Sequence, residues 1–283
     1  MKKLLLSLTI GLLSQSAFSA DLSKELDAYR EFVVGQMDLL VRDTEAFAAA
    51  LKAGNTEEAK KIYPLARMYF ERSEPVAESF GDLDPRIDAR LADLTEEAKE
   101  VAENANKTEA ELEAVVMDEW SGFHKIEKIL WEQNTTKGTE AIAEQLVNDV
   151  KELRAKIPTA EVSAELMITG AVDLLNEVST TKITGEEDIF SKTDLYDFKA
   201  NIEGAEKIFE LFRPHVEAKD KALAENIAKH FADVNALLES HNRSKDAYDY
   251  KPYNELTEAD IKALAEAVNK LGEPLAQMGI ILE

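Results

Sequence analysis

The sequence predicts an all-α protein in which two helical bundles follow one another along the chain and leave a cleft between them. Apolar residues recur every three or four positions in nearly every segment, which is the period of an amphipathic helix. Strand signals are nearly absent, because no run of alternating β-branched residues stands out. A polar stretch at 134–138 separates four predicted helices from about five later ones. We therefore expect an export signal over 1–20, a first bundle over 21–136 and a second bundle over 137–283.

The first segment reads as a cleavable signal peptide. It begins with two lysines, continues with an apolar core over 4–13 and ends in small residues over 17–20. Cleavage is expected after Ser19 or after Ala20. The apolar core is too short to span a bilayer, and no later stretch is long and apolar enough to do so. The sequence contains no cysteine to carry a lipid anchor, so we expect a soluble exported protein, which in a Gram-negative cell means the periplasm.

Two helices follow the signal, predicted from about 22 to 52 and from 56 toward 80. An Ala-Gly-Asn turn ends the first helix, and Thr56 is expected to cap the second, with acidic residues in its first turn. Pro64 and Pro75 lie within the second helix. Each proline is expected to kink the helix or to mark a local unwinding.

An aspartate-rich turn leads into a third helix, predicted from 85 to about 104, and a fourth is predicted from 108 to about 132. Thr108 and Glu111 have the spacing of a capping box. Gly122 falls in the middle of the fourth helix, where glycine is destabilising by roughly 1 kcal/mol relative to alanine. Either close packing of another helix or access for a ligand would compensate for that loss.

The second half of the chain continues the helical pattern. After the linker, helices are predicted at about 139–156, 161–181, 194–217, 219–242 and 257–281. No Gly-rich phosphate loop, Gly-x-Ser-x-Gly elbow or His-Glu-x-x-His run is present, so several common enzyme classes lose support.

The composition excludes several kinds of partner and site. The formal net charge is −23, and it becomes −25 without the two lysines of the signal. Such an acidic surface disfavours nucleic acid and anionic lipid, which need lysine and arginine partners, and it is compatible with cations. The absence of cysteine removes disulfides, thiolate metal sites and cysteine nucleophiles.

A histidine and a glutamate in the fourth helix form the most informative pair. His124 and Glu127 are three residues apart, so on a helix both side chains can reach one metal ion. The chain has three other histidines: His215 lies near a helix end, and His230 and His241 lie on a charged helix where surface exposure is expected. The same His-x-x-Glu spacing is common in helical proteins without metal, so the pair gains weight only from its surroundings.

Carboxylates of the preceding helices supply those surroundings. Glu71 and Glu74 share a face of the second helix, and Asp88 belongs to an acidic start of the third. One carboxylate from each, facing the histidine and glutamate, would form a metal site in the core of a bundle. Oxygen-rich ligands with one imidazole suit iron, manganese or zinc better than copper(I). The acidic stretch 183–194 either overhangs the cleft between the bundles or is a solvated loop, and the sequence slightly favours the solvated loop.

Several separated motifs resemble the imelysin-like family, in the branch of the EfeO and EfeM periplasmic iron-uptake proteins. The resemblance covers essentially the whole mature chain, and the motifs occur in the expected order. They are Tyr69-Phe70-Glu71-Arg72-Ser73-Glu74-Pro75-Val76-Ala77-Glu78, Asp82-Leu83-Asp84 with Ile87-Asp88, Gly122-Phe123-His124-Lys125-Ile126-Glu127 with Trp131, Lys182 to Asp188, Asp194-Leu195-Tyr196-Asp197-Phe198 and Glu273-Pro274-Leu275.

The resemblance implies two antiparallel four-helix bundles that form one elongated domain, and a metal site built around His124 and Glu127. Glu71 and Asp88 are the remaining ligands that we expect, with Glu74 as a close substitute. Iron, as Fe²⁺ or Fe³⁺, is the expected metal, with zinc, manganese and copper as alternatives. The expected partners are an iron permease and a haem-peroxidase-like periplasmic protein. The cupredoxin-like domain of EfeO is not expected here, so the chain resembles the shorter EfeM form.

Three functions remain open at this point. The leading hypothesis is a non-enzymatic periplasmic protein that captures iron and delivers it to an inner-membrane transport system. The second is a metallopeptidase, which would need an open coordination position and a general base to activate water, a role that Glu71 or Glu74 could serve. The third is a protein that binds acidic polysaccharide through a bridging metal ion.

Overall fold

The computed structural model describes residues 21–102, 108–180 and 182–282. It confirms the all-α class: within those ranges the regular structure is helical, and the only β-type pairing is an isolated bridge between Asn242 and Tyr250. The predicted signal peptide at 1–20 lies outside the described residues. None of the described helices is apolar over enough of its length to cross a bilayer.

The first half of the chain contains two long helices separated by a tight turn. Helix α1 spans Ser23–Lys52, and helix α2 spans Thr56–Glu71. Asn55 caps the N-terminus of α2, because its side chain accepts a hydrogen bond from the Glu58 backbone N–H at 3.2 Å. The predicted cap was Thr56, so that expectation is wrong by one residue, because Thr56 is already the first residue of the helix.

The predicted second helix ends early, four residues before Pro75. In a continuous helix the proline ring would clash with the carbonyl of Glu71, four residues upstream, and no N–H would bond to it. Helix α2 stops at Glu71, where this clash would arise, and a separate short helix, α3, spans Glu74–Ala77. The freed carbonyl of Glu71 accepts a hydrogen bond from the Asn201 side chain at 3.2 Å. Pro64 lies inside α2 without interrupting it.

The third and fourth predicted helices are also interrupted. Five further helices complete the first half of the described chain: α4 (Asp84–Asp88), α5 (Leu91–Ala102), α6 (Glu109–Glu119), α7 (Gly122–Glu132) and α8 (Glu140–Lys156). The capping box predicted for Thr108 and Glu111 is present at the start of α6. The extended residues Trp120 and Ser121 separate α6 from α7, so the predicted continuous helix from 108 to 132 is wrong.

The helices of the second half agree with the sequence pattern to within a few residues. They are α9 (Ala164–Thr180), α10 (Asp194–Lys219), α11 (Lys221–Ser240) and α12 (Glu258–Leu282). Helix α11 is capped by Asp220, whose side chain accepts a hydrogen bond from the Leu223 N–H at 2.9 Å.

The long helices pack in neighbouring groups around a continuous apolar core. Helix α1 contacts α2 and α8, and α7 contacts α2, α4 and α8. Helices α10 and α12 each contact both α9 and α11 and also contact each other, and α10 in addition contacts α1 and α2. Helix α8, which follows the predicted boundary at 136, lies against α1 and α7. The division into bundles over 21–136 and 137–283 stays a prediction.

Candidate metal centre

The close approach of helices α4 and α7 positions the central histidine. Gly122 is the first residue of α7 and has φ +84°, a left-handed conformation that L side chains rarely adopt. A Cβ atom at Gly122 would lie 2.6 Å from the Ile87 carbonyl carbon and 2.9 Å from the Arg86 carbonyl oxygen. The expectation of a mid-helix glycine is therefore wrong: the glycine starts the helix and lets its backbone touch α4. This contact brings His124 of α7 beside Asp88 of α4.

The His124 imidazole is buried and is hydrogen-bonded on one side only. Its Nδ1 lies 3.1 Å from Glu127 Oε2 and 3.3 Å from the Tyr63 hydroxyl. Its Nε2 is buried without a hydrogen-bond partner among the described residues. That nitrogen lies 3.8 Å from Asp88 Oδ1 and 3.8 Å from Glu187 Oε1. In the tautomer with its proton on Nδ1, the lone pair of Nε2 points toward these two carboxylates.

Glu127 holds the histidine and a neighbouring loop together. Its Oε1 accepts hydrogen bonds from the backbone N–H groups of Phe190 and Ser191, at 3.0 and 2.7 Å. Its Oε2 faces His124 Nδ1. A carboxylate that accepts the N–H of a metal-binding imidazole fixes the orientation and tautomer of the ring. This carboxylate is therefore arranged to orient His124, and both of its oxygens already have partners.

The loop that was expected to be solvated is part of the site. Glu187 is 3% exposed and Asp188 is fully buried, so the expectation of a solvated stretch is wrong for both. Asp188 Oδ1 accepts from the Tyr63 hydroxyl at 2.8 Å, and its Oδ2 accepts from the Thr193 hydroxyl at 2.6 Å. Asp188 lies in the loop that precedes α10, and its bond with Tyr63 joins that loop to α2. The bonds of Phe190 and Ser191 to Glu127 join the same loop to α7.

Arg67 lies at the centre of the carboxylates and was not predicted from the sequence. Its guanidinium is fully buried and pairs with Asp88, with Glu71 at 2.7 Å, with Glu187 at 3.1 Å and with Asp197 at 3.3 Å. A signal for it was present in α2, where Ala59, Tyr63, Arg67 and Glu71 follow at intervals of four residues on one face. A charged residue in the middle of such a stripe needs buried partners of opposite charge.

Lys182 is the second buried cation. Its Nζ lies 2.5 Å from Glu71 Oε2 and 3.8 Å from Glu187 Oε1. Glu74, a predicted ligand, has its Oε2 3.8 Å from this lysine, and the same oxygen accepts a hydrogen bond from Asn201 at 3.0 Å. Glu74 is thus connected to the cluster through Lys182 and Asn201.

Three groups of ligand atoms among the described residues can each hold a metal ion. They are Asp88, His124 and Glu187; His124, Glu127 and Asp188; and Glu71, Glu187 and Asp197. Four of the five predicted ligands fall within these groups, and Glu74 does not. Glu187, Asp188 and Asp197 belong to stretches that carry the family resemblance, but their side chains were not predicted as ligands.

The first group fits a metal ion best. A tetrahedral ion with bonds of about 2.1 Å separates its ligand atoms by roughly 3.4 Å, close to the two 3.8 Å separations around His124 Nε2. A cation there would also satisfy the buried nitrogen that lacks a hydrogen-bond partner. In the second group, His124 Nδ1 is engaged by Glu127 and Tyr63, so a metal would have to replace the contacts of the imidazole nitrogen. In the first group that nitrogen is unpartnered, and it is the two carboxylate oxygens that pair with Arg67.

Burial and neighbouring charges shift the pKa values of these groups in different directions. Burial raises the pKa of Asp88 to about 7, although Arg67 and His124 act to lower it. Burial also acts to raise the pKa of Glu187, but Lys182 and Arg67 lower it to about 2. Burial and Arg67 act to lower the pKa of His124, and the hydrogen bond to Glu127 with the charge of Asp88 raises it above its ordinary value. Burial thus disfavours the charged form of Asp88 even though Arg67 pairs with it, and a further cation nearby would stabilise that form.

A cavity of about 210 Å³ leads to the first group from outside. Asp88 and Glu187 contribute to its wall, together with Arg90. The remaining wall is strongly acidic, and its members are Glu74, Asp84, Asp93 and Glu177, with Pro85, Ala89 and Leu94 between them. An acidic cavity of this kind raises the local concentration of cations.

The other histidines lie apart from this cluster. His215 Nε2 is 2.9 Å from Glu25 Oε1, where α10 meets α1. His230 is partly exposed, in agreement with its expected surface position. His241 is buried, 8% exposed, at the end of α11, so the expectation of a surface residue is wrong there.

Comparison with known proteins gives the same family as the motifs. The sequence profile described as imelysin, Peptidase_M75, matches residues 25–278. A protein of Staphylococcus haemolyticus (strain JCSC1435) named "Efem/EfeO family lipoprotein" is 51% identical over 271 residues, which cover 95% of this chain and 88% of that protein. A protein of the same name from Staphylococcus aureus (strain MSSA476) is 48% identical over 265 residues, which cover 93% and 87%. The resemblance inferred from the motifs is therefore confirmed.

Proposed function

The chain belongs to the imelysin family, and on that premise we propose that it is an exported protein that captures iron and delivers it to an inner-membrane transport system. The observation that carries the proposal is the buried Nε2 atom of His124, which faces carboxylate oxygens of Asp88 and Glu187 at 3.8 Å each. A buried imidazole nitrogen without a partner is unfavourable, and a cation at this point would satisfy it.

The donor set supports iron as the captured ion. It offers one imidazole nitrogen and several carboxylate oxygens, and the sequence contains no cysteine. Such oxygen-rich sets suit iron, manganese and zinc, whereas copper(I) prefers sulfur. In the proposed arrangement, Asp88, His124 and Glu187 hold the ion and Glu127 orients the imidazole. Glu71 binds Arg67 and Lys182 beside it.

The names of the relatives support a role in the cell envelope. Both are named as EfeM/EfeO family lipoproteins, and a lipoprotein of this kind is exported. Residence in the periplasm, delivery to an iron permease and cooperation with a haem-peroxidase-like partner are parts of the proposal for this chain. The acidic cavity beside Asp88 and Glu187 supports entry of a cation from the surrounding solution.

Calorimetric titration with Fe²⁺ under anaerobic conditions, and with Mn²⁺ and Zn²⁺ separately, tests the proposal. We expect saturable binding of one ion at the site, and a loss of affinity of roughly 100-fold or more in His124→Ala. His230→Ala is the matched control and should bind as the wild type does, because that residue lies on α11, outside the cluster. Unchanged affinity in His124→Ala, or no binding by the wild type, would contradict the proposal.

The name of the family profile, Peptidase_M75, motivates a test of hydrolysis. A hydrolase needs a base that is free to activate water at an open metal position. Glu71 pairs with Arg67 and Lys182, and Glu74 accepts a hydrogen bond from Asn201, so neither predicted base is free. Glu127 accepts two backbone N–H groups through one oxygen and faces His124 through the other. We therefore expect metal-loaded protein to leave an unfolded casein substrate intact. Metal-dependent cleavage that disappears in His124→Ala would favour the peptidase.

A further inference from the structure

Arg67 occupies the position of a cation inside the carboxylate cluster. Its side chain is fully buried, and its nitrogen atoms lie within 4 Å of carboxylates from α2, α4, α10 and the loop before α10. Its guanidinium carbon is 5.9 Å from the ring centres of both Tyr63 and Phe123. The aromatic faces and the ion pairs hold the group in the middle of the cluster.

The arginine and a metal ion would use the same two oxygen atoms. Asp88 Oδ1 pairs with Arg67 Nη1 and also faces His124 Nε2. Glu187 Oε1 lies 3.1 Å from Arg67 Nη2 and also faces His124 Nε2. A metal ion bound to these oxygens would offset their negative charge, so their attraction to the guanidinium of Arg67 would fall. The metal ion and the guanidinium would also repel each other, because both are positively charged.

We propose that Arg67 is a resident counter-cation, which an incoming metal ion must displace from Asp88 and Glu187 and which regains these carboxylates when the metal leaves. This inference rests on the proposed function, since it describes how that same site is regulated. Arginine remains charged at every physiological pH, so the site always contains this competitor. The competition lowers the affinity for metal and speeds its release, as a protein that hands its ion to a partner requires.

Arg90 plays the same role from the outer side of the cluster. Its Nη1 lies 2.9 Å from Glu187 Oε2, and it contributes to the wall of the acidic cavity. Its side chain is 20% exposed, so water screens its charge more than that of Arg67. The two arginines bind opposite oxygens of Glu187, and we expect a graded effect, larger for Arg67.

The experiment compares Mn²⁺ binding by the full-length mature protein and its variants, measured by calorimetry, with release rates measured by transfer to an excess of chelator. Arg67→Gln removes the charge and keeps hydrogen-bond donors, and we expect Mn²⁺ affinity to rise roughly tenfold or more and release to slow by a similar factor. Arg67→Lys keeps the charge and should stay within a fewfold of the wild type. Arg42→Gln, on the exposed side of α1, is the control and should change nothing.

The outcomes separate this inference from the proposed function. If the wild type binds no Mn²⁺, Zn²⁺ or Fe²⁺ but Arg67→Gln does, the competition is supported and capture by the wild type is contradicted. If the wild type binds and a folded Arg67→Gln binds equally or more weakly, the arginine only organises the ligands and the inference is overturned. Should Arg67→Gln fail to fold, Arg90→Gln decides: a severalfold gain in affinity supports the inference, and no gain overturns it.

Discussion

Replacing Gly122 by alanine tests how the start of helix α7 builds the site. The residue has φ +84°, and an alanine in this left-handed region is unfavourable by about 1–2 kcal/mol. The new methyl group would also overlap the Ile87 carbonyl, and the shift of backbone needed to relieve that overlap adds about 1–3 kcal/mol. We therefore expect Gly122→Ala to lower the free energy of unfolding by about 2–5 kcal/mol.

Gly35→Ala is a matched control for this prediction. Gly35 lies within α1, and a Cβ atom there would meet nothing within 4 Å. Alanine should stabilise the helix at this position by about 0.5–1 kcal/mol. The two substitutions are chemically identical, so the expected difference in sign comes only from backbone conformation and from the approach of α4.

The assay is urea unfolding of the metal-free protein followed by far-ultraviolet circular dichroism, with Mn²⁺ titration of the same samples. Moving α7 away from α4 also separates His124 from Asp88, so Mn²⁺ affinity should fall in Gly122→Ala and stay unchanged in Gly35→Ala. If the unfolding free energy of Gly122→Ala lies within about 0.5 kcal/mol of the wild type, the proposed contact between these two helices is wrong.

Three further predictions concern the buried groups. Tyr63→Phe removes the hydroxyl that donates to Asp188 and should lower the free energy of unfolding by about 1–3 kcal/mol. Its control is Tyr69→Phe, at a partly exposed position, which should change the free energy of unfolding by less than about 0.5 kcal/mol in the same urea assay. Lys182→Met leaves buried carboxylates without their counter-charge and should lower it by about 3–5 kcal/mol, and an unchanged thermal midpoint would contradict this. Burial raises the pKa of Asp194 to about 7, so near neutral pH the folded protein binds a proton that the unfolded chain does not. The metal-free protein should therefore become more stable as the pH falls from about 8 to about 6. Asp194→Asn should reduce that gain in stability.

The interruptions of the helices mark the limit of what periodicity reveals. The apolar pattern runs through Trp120 and Ser121, so the sequence predicts one helix where the chain makes two. The break allows α7 to begin against α4, and that choice depends on a contact between residues 35 positions apart. Pro75 is a partly local case. Its ring and its missing N–H disfavour a continuous helix, and α2 ends four residues before it, whereas Pro64, with the same chemistry, lies inside α2.

The site shows the same division between local and distant information. His124 and Glu127 share a face of one helix, so their proximity follows from spacing, and the structure has the two side chains 3.1 Å apart. Glu187 and Asp188 look like solvated loop residues in the sequence, because nothing local indicates that α10 folds their loop onto α2. Their burial beside Arg67 arises only in the packed structure.

The sequence by itself determined the helical class, the long helices and the residue types that can bind a cation, because these follow from periodicity, capping and side-chain chemistry within a few residues. Tertiary structure decided which carboxylates meet the imidazole, that Glu127 orients the ring, and that Arg67 sits among the ligands. Those features depend on burial and on charge compensation between distant segments. Only the packing of the helices buries these side chains and brings their opposite charges together.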